Sequence, residues 1–211
     1  MKGILLIIDG LGDRPIEKFK GRTPLEAAKK PNLDKLAKRG ITGIMDTISP
    51  GITPGSDTSH LSLFGLDPHE HYHGRGPIEA CGVGIKLQPG DIAFRVNAGT
   101  VDEKMKVVDR RAGRIESTAE LCKEIDGIEI DGVKIILKPS AWYRAALVLR
   151  GKGLSDQVTG NDSQKIGVLV QEVKALDGSK EAKKTADVLN KLTKITYEKF
   201  SALESNKKRA F

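Results

Sequence analysis

The 211-residue chain is 38% apolar and 30% charged with only 4% aromatic residues, a balance that excludes a disordered or fibrous polymer and allows a substantial core. No run nears the ~20 apolar residues of a bilayer crossing, so no membrane anchor is expected. The formal charge of +7 is spread out, +2 on residues 1–76 and +5 on the remainder, a field that suits an anionic metabolite as well as nucleic acid.

In chain order, the apolar run from Ile4 to Ile8 stops at Asp9, where the core of a signal peptide would continue. It predicts an internal parallel strand with Asp9 at its carboxyl end. Ligands of open α/β sheets bind at that edge, which makes Asp9 a candidate site residue. Apolar spacing over residues 23–39, broken by Pro31 and stopped by Gly40, predicts a helix. A second strand is expected over residues 41–48. Pro50, Gly51, Pro54 and Gly55 then set a tight loop, after which Ser56 opens a helix near free backbone N–H groups that favour anions.

From Pro77 onward the pattern predicts a second α/β unit. Strands are expected over residues 91–97, 105–108, 133–137 and 145–150, and helices over 113–124, 166–176 and 179–204. Cys81 and Cys122 make neither a disulfide framework nor a zinc site, which points to packing roles in a reducing cytoplasm. Abundant Lys and Glu with few Gln lean toward a thermophilic source.

Strand ends of one sheet converge on one edge, so the Asp9 carboxylate and the Ser56 hydroxyl could share a metal ion; the plainer reading makes them a helix cap and a turn residue. The histidines His60, His69, His71 and His73 all fall within one short stretch, the last three alternating as if on one face of an extended segment. They read as solvated or core-lining residues rather than ligands, because Glu70 would point to the other face. Seven of the eleven arginines lie between Arg75 and Arg150. In Asp109-Arg110-Arg111-Ala112-Gly113-Arg114 they stand where a helix is expected to begin, opposing its dipole unless an anion sits there.

Six stretches carry a family resemblance, in order: Ile7-Ile8-Asp9-Gly10-Leu11-Gly12-Asp13-Arg14-Pro15, Thr23-Pro24-Leu25-Glu26-Ala27-Ala28, Pro54-Gly55-Ser56-Asp57-Thr58-Ser59-His60-Leu61-Ser62, Gly74-Arg75-Gly76-Pro77-Ile78-Glu79-Ala80, Gly90-Asp91-Ile92-Ala93-Phe94-Arg95-Val96-Asn97, and the Asp109 to Arg114 run. Together they resemble the archaeal-type, cofactor-independent (2,3-bisphosphoglycerate-independent) phosphoglycerate mutases of the alkaline phosphatase superfamily. The resemblance implies an α/β fold in which an incomplete alkaline phosphatase-like domain, residues 1–76, is interrupted by an inserted α/β substrate-binding domain, residues 77–211.

It further implies a cytoplasmic enzyme of glycolysis and gluconeogenesis that interconverts 3- and 2-phosphoglycerate through a phosphoserine. Ser56 would be the nucleophile, and Asp9 and Ser56 would contact two divalent metal ions (Mn, Mg, Co or Zn). Arg75, Arg95, Arg110, Arg111, Arg114 and Arg144 would hold carboxylate and phosphate, with Asp109 orienting a hydroxyl or an arginine. The family's remaining metal ligands, Asp and His, lie in a second half, and here no histidine follows His73. The expected partners are therefore phosphoglycerate and a C-terminal half, or a second chain supplying it. Two other functions fit the residues: a phosphatase or other phosphoryl-transfer enzyme of the same superfamily, and a non-catalytic binder of anions or nucleic acid. Scarce aromatic residues, and no basic run before Lys207-Lys208-Arg209, argue against nucleic acid.

Overall fold

The computed structural model describes residues 2–207 and divides into two compact units, Met1–Tyr72 and His73–Phe211. Lys208 and Arg209 of the basic run lie outside the described residues.

The first unit contains four short helices, α1 (Pro24–Ala27), α2 (Pro31–Arg39), α3 (Ser56–Leu63) and α4 (Pro68–His71), the first two separated by the expected break at Pro31. Helix α1 opens on a capping box: Thr23 Oγ1 accepts from the Glu26 N–H at 3.2 Å, and the Glu26 carboxylate accepts from the Thr23 N–H at 2.7 Å. Pro stands in the first turn of α1, α2 and α4, where its missing N–H costs nothing. None of these helices contains a buried residue.

Neither strand expected in this unit forms. Residues 4–8 and 41–48 are irregular, with Ile4 96%, Ile41 103% and Ile44 102% exposed. An inner strand is a cooperative structure that needs a hydrogen-bonded neighbour on each side, and among the described residues no strand pairs with either segment. The histidine expectation is also corrected. Asp67 caps α4 by accepting the His69 N–H at 2.8 Å, so His69 and His71 sit on a helical turn and do not alternate along an extended face.

The second unit is built on an antiparallel sheet in the order β1-β6-β5-β4, where β1 is Ile92–Asn97, β4 Glu129–Ile130, β5 Val133–Pro139 and β6 Arg144–Arg150. A two-stranded ribbon of β2 (Thr100–Val101) and β3 (Val107–Asp109) stands beside it in sequence. Helices α5 (Arg75–Gly82), α6 (Ala119–Ile125), α7 (Lys180–Ala202) and α8 (Glu204–Lys207) complete the unit.

Alternation along the strands sorts side chains to two faces. Ile135, Leu137, Ala145, Leu147 and Leu149 pack with Cys122 and Ile125 of α6 and Val188 and Leu192 of α7. Ala146 and Val148 face the other way, against Ala80 of α5 and Ile85. Complete burial of residues such as Leu149, Ile135 and Ile125 contributes about 1.5–3 kcal/mol each relative to exposure. In α7 the buried positions Ala182, Thr185, Ala186, Val188 and Leu192 recur at helical spacing, and Ser179 caps the helix by accepting the Ala182 N–H at 3.1 Å.

Two helix expectations are corrected here. The region 113–124 contains only α6 and, before it, a single 3-10 turn at Ala112–Arg114, with Gly113 left-handed at φ 64°. Residues 166–176 form no helix. Their backbone groups bond outward instead: Gly167 N–H to Val107 O at 2.7 Å, Val107 N–H to Val168 O at 2.8 Å and Val170 N–H to Met105 O at 2.9 Å. The β-branched residues Val168, Val170 and Val173 favour that extended course.

At one end of β6, Arg150 clasps Asp91 through Nε and a terminal nitrogen at 2.9 and 2.7 Å. Asp91 also accepts the Gln88 N–H at 2.9 Å, and its side chain is only 3% exposed. Burial pushes the Asp91 carboxyl upward, but the Arg150 guanidinium and the Gln88 N–H outweigh it and hold the group below its ordinary value. A carboxylate depressed in the folded state contributes stability that is present above the unfolded value, near pH 4, and lost as pH falls through the lower folded value. We predict that Asp91→Asn costs about 3 kcal/mol at pH 7, read from urea midpoints, and that the difference from wild type shrinks as the pH falls below 4. A constant difference across that range would exclude the ion pair as its source.

Candidate active site

Ser56 is the first residue of α3, following Gly55, which is the N-cap in extended conformation at φ −81° and ψ 162°. Gly55 N–H donates to Thr58 Oγ1 at 3.0 Å, closing the first turn. His60, one turn on, brings Nδ1 within 2.5 Å of the Ser56 carbonyl oxygen. The Ser56 side chain itself is exposed, so its hydroxyl is presented to solvent at the positive end of an eight-residue helix. The helix is held from outside by polar ties: Ser59 Oγ meets Thr47 Oγ1 at 3.1 Å, Ser62 donates to the Thr47 carbonyl, and Tyr72 donates its phenolic proton to Asp57.

Asp9 lies in a turn after residues 4–8 and is exposed. Among the described residues no group of three or more His, Cys, Asp or Glu side chains could hold a metal ion. Asp9 and Ser56 offer two donors, fewer than two divalent ions need, so the described residues do not fit a complete metal pair.

In the second unit, β1 and β6 pair with Arg95 opposite Ala146 and Asn97 opposite Arg144. Arg95, Asn97 and Arg144 therefore share the sheet face that α5 covers farther along. Arg75 is the first residue of α5. Tyr143, only 7% exposed, has the Arg144 guanidinium 5.5 Å and the Arg111 guanidinium 6.0 Å from its ring centroid. Ala98 N–H donates to Tyr143 O at 2.7 Å and Thr118 Oγ1 to Arg144 O at 2.8 Å, which fixes the backbone beneath this arrangement. Arg144 Nε is buried without a hydrogen-bond partner among the described residues, a donor that an anion would satisfy.

Asp109 organises the neighbouring turn. Its two carboxylate oxygens accept the N–H groups of Arg111 at 2.8 Å and Gly113 at 2.7 Å. Those two backbone bonds, with the charges of Arg111 and Arg114, hold its carboxyl below the ordinary value. The turn puts Ala112 at φ 45° and Arg114 at φ 58°, conformations that cost non-glycine residues about 1 kcal/mol or more. Arg111 and Arg114 are exposed at its rim. Arg110 forks onto Asp162 at 3.0 and 2.7 Å and reaches Gln164 Oε1 at 2.5 Å. The Arg110 hydrogen bonds lower the Asp162 carboxyl and raise the guanidinium in turn.

Sequence reasoning passed over Tyr143, Asn97, Gln164 and Tyr72. Only the adjacency of Tyr143 and Arg144 was a local signal; the others acquire their partners from segments distant along the chain.

A family model described as 2,3-bisphosphoglycerate-independent phosphoglycerate mutase matches residues 37–206. The chain belongs to that family. A 2,3-bisphosphoglycerate-independent phosphoglycerate mutase of Methanococcus maripaludis is 57% identical over 209 residues, covering 99% of this chain and 51% of the relative. One of Methanocaldococcus jannaschii is 59% identical over 210 residues with the same coverage. The chain thus spans about half the length of these relatives. Among solved structures, the cofactor-independent phosphoglycerate mutase of Thermoplasma acidophilum superposes with a TM-score of 0.63 at 41% identity, over 96% of this chain and 53% of that one. The PH0037 protein of Pyrococcus horikoshii gives 0.66 at 34% identity, over 95% and 45%. The elements described above make a mixed α/β structure, and among the described residues no helix is long and apolar enough to cross a membrane.

Proposed function

We propose that these residues form part of a phosphoglycerate mutase that interconverts 3- and 2-phosphoglycerate through a phosphoserine at Ser56. The observation that carries the reading is the family match across residues 37–206, within which Ser56 opens a helix and presents its hydroxyl. In the first half-reaction the Ser56 oxygen attacks phosphorus as the bond from phosphorus to the C3 oxygen of the substrate breaks; the serine loses its proton and the leaving oxygen gains one. In the second, the C2 oxygen of the retained glycerate attacks phosphorus as the bond from phosphorus to the Ser56 oxygen breaks; the C2 hydroxyl loses its proton and Ser56 regains one.

Glycerate must be held between these steps, and that is the task we assign to the second unit. Arg111 and Arg144 flank Tyr143, with Arg95 on the same sheet face as Arg144; Arg75 and Arg114 add exposed guanidiniums, and Arg110 stands braced by Asp162. Guanidinium forks suit both the carboxylate and the phosphate of the substrate. Asp109 serves by shaping the turn that carries Arg111 and Arg114. The compact units Met1–Tyr72 and His73–Phe211 support a division into part of a phosphatase-like domain, 1–76, and an inserted substrate domain, 77–211. Asp9 and Ser56 would be contributors to a pair of divalent ions whose other ligands lie outside these residues. The free cysteines Cys81 and Cys122 agree with the reducing cytoplasm where glycolysis and gluconeogenesis proceed.

The test uses the natural gene product that carries these residues. After acid quench during turnover with 3-phosphoglycerate, mass spectrometry should find one phosphoryl group on the peptide containing Ser56; a label on any other residue overturns the assignment. Arg111→Ala separates mutase from phosphatase. Mutase turnover should fall by about 100-fold, while hydrolysis of a simple phosphate ester through Ser56 changes by less than about threefold. Equal loss of both activities would contradict the retention of glycerate by Arg111.

A further inference from the structure

The catalytic reading leaves one polar contact unused. Tyr72, the last residue of the first compact unit, donates its hydroxyl proton to Asp57, the residue after Ser56. Helix α3 contains no buried side chain and shows no apolar stripe, so hydrophobic packing does not fix its orientation. Thr47 ties the helix through Ser59, its fourth residue, and Ser62, its seventh. Both ties lie beyond the first three residues of the helix, which include Ser56 and Asp57. Tyr72 supplies a tether there, and the acceptor's charge makes it stronger than a hydrogen bond between neutral groups.

We infer that Tyr72 is a positioning residue for Ser56, acting through Asp57 to hold the first turn of α3 in line for attack on phosphorus. The inference rests on Ser56 being the nucleophile. In-line displacement is sensitive to placement of the attacking oxygen, so releasing this tether slows phosphoryl transfer without altering affinity for the substrate. Asp57 contributes a second effect, because a carboxylate in the first turn also favours the helix macrodipole.

The experiment compares Tyr72→Phe, Asp57→Asn, the double variant and Ser56→Ala in the natural gene product, measuring phosphoenzyme formation by rapid quench with 3-phosphoglycerate, together with KM and melting temperature. Tyr72→Phe removes one oxygen and should slow phosphoenzyme formation roughly 5- to 50-fold, with KM unchanged and the melting temperature lowered by no more than a few degrees. The double variant should be no slower than Asp57→Asn alone, since both remove the same interaction. Tyr72→Phe forming phosphoenzyme at the wild-type rate overturns the inference, as do effects that multiply in the double variant or a loss seen only as raised KM. In each of those cases Ser56→Ala still abolishes the phosphoenzyme and the nucleophile assignment stands. Phosphoenzyme formation by Ser56→Ala overturns that assignment, and the role of Tyr72 falls with it.

Discussion

Ser56→Ala should leave the natural gene product folded and reduce its mutase turnover by on the order of 10⁴–10⁶-fold, the range seen when a catalytic nucleophile is removed. The fold is expected to survive because the side chain is exposed at the first helical position, where alanine is at least as good a helix former as serine. The N-cap is Gly55, and the Thr58 contact that closes the turn uses Gly55 backbone atoms, so the cap is untouched. A large kinetic loss with a melting temperature within about a degree of wild type is therefore the signature of a chemical role, since surface substitutions away from caps and cores shift stability by only ~0.5 kcal/mol. Turnover within tenfold of wild type would remove Ser56 from the mechanism.

Gly76→Ala is expected to destabilise the second unit by about 3 kcal/mol or more. A Cβ at this buried position would lie 1.9 Å from the Ala93 carbonyl oxygen, 2.4 Å from its carbon and 2.7 Å from the Phe94 nitrogen. All three are backbone atoms of β1, where Ala93 and Phe94 stand opposite Val148 and Leu147 of β6, so no side-chain rotation relieves the overlap. Either α5 lifts from the sheet, carrying Arg75 with it, or β1 bends. Against a typical domain stability of about 5–15 kcal/mol this is a large fraction. Gly82→Ala in the same helix is the control: its added Cβ meets no atom within 4 Å, and the change should be neutral or stabilising. Equal urea midpoints for the two variants would show that the α5 contact yields far more readily than its geometry implies.

The sequence was most legible where an element and its partners both lie in the chain. Strands β1, β5 and β6 and helix α7 carry apolar patterns that match the faces they bury, and Ser179 marks the start of α7. The run from Ile4 to Ile8 has as strong an apolar pattern, yet stays irregular, because pattern describes a face and says nothing of whether another strand is present to pair with it. Residues 166–176 failed for a different reason: apolar spacing is compatible with either structure over so short a span, and tertiary hydrogen bonds to Met105 and Val107 decided it.

Within the candidate site, the Asp109 to Arg114 run was visible as an unusual charge cluster. The roles within it were not, because spacing does not reveal that Asp109 spends its oxygens on backbone N–H groups or that Arg110 finds Asp162 more than fifty residues away. The placement of Asn97 opposite Arg144 depends on strand register, which no local motif encodes.

The ring of Tyr143 standing by two guanidiniums has a consequence for solution conditions. Arg111 is open to water, and mobile ions therefore compete with it: the screening length contracts from about 8 Å at physiological ionic strength to about 3 Å in molar salt. The reach of the charge at Arg111 is therefore set by the salinity around it.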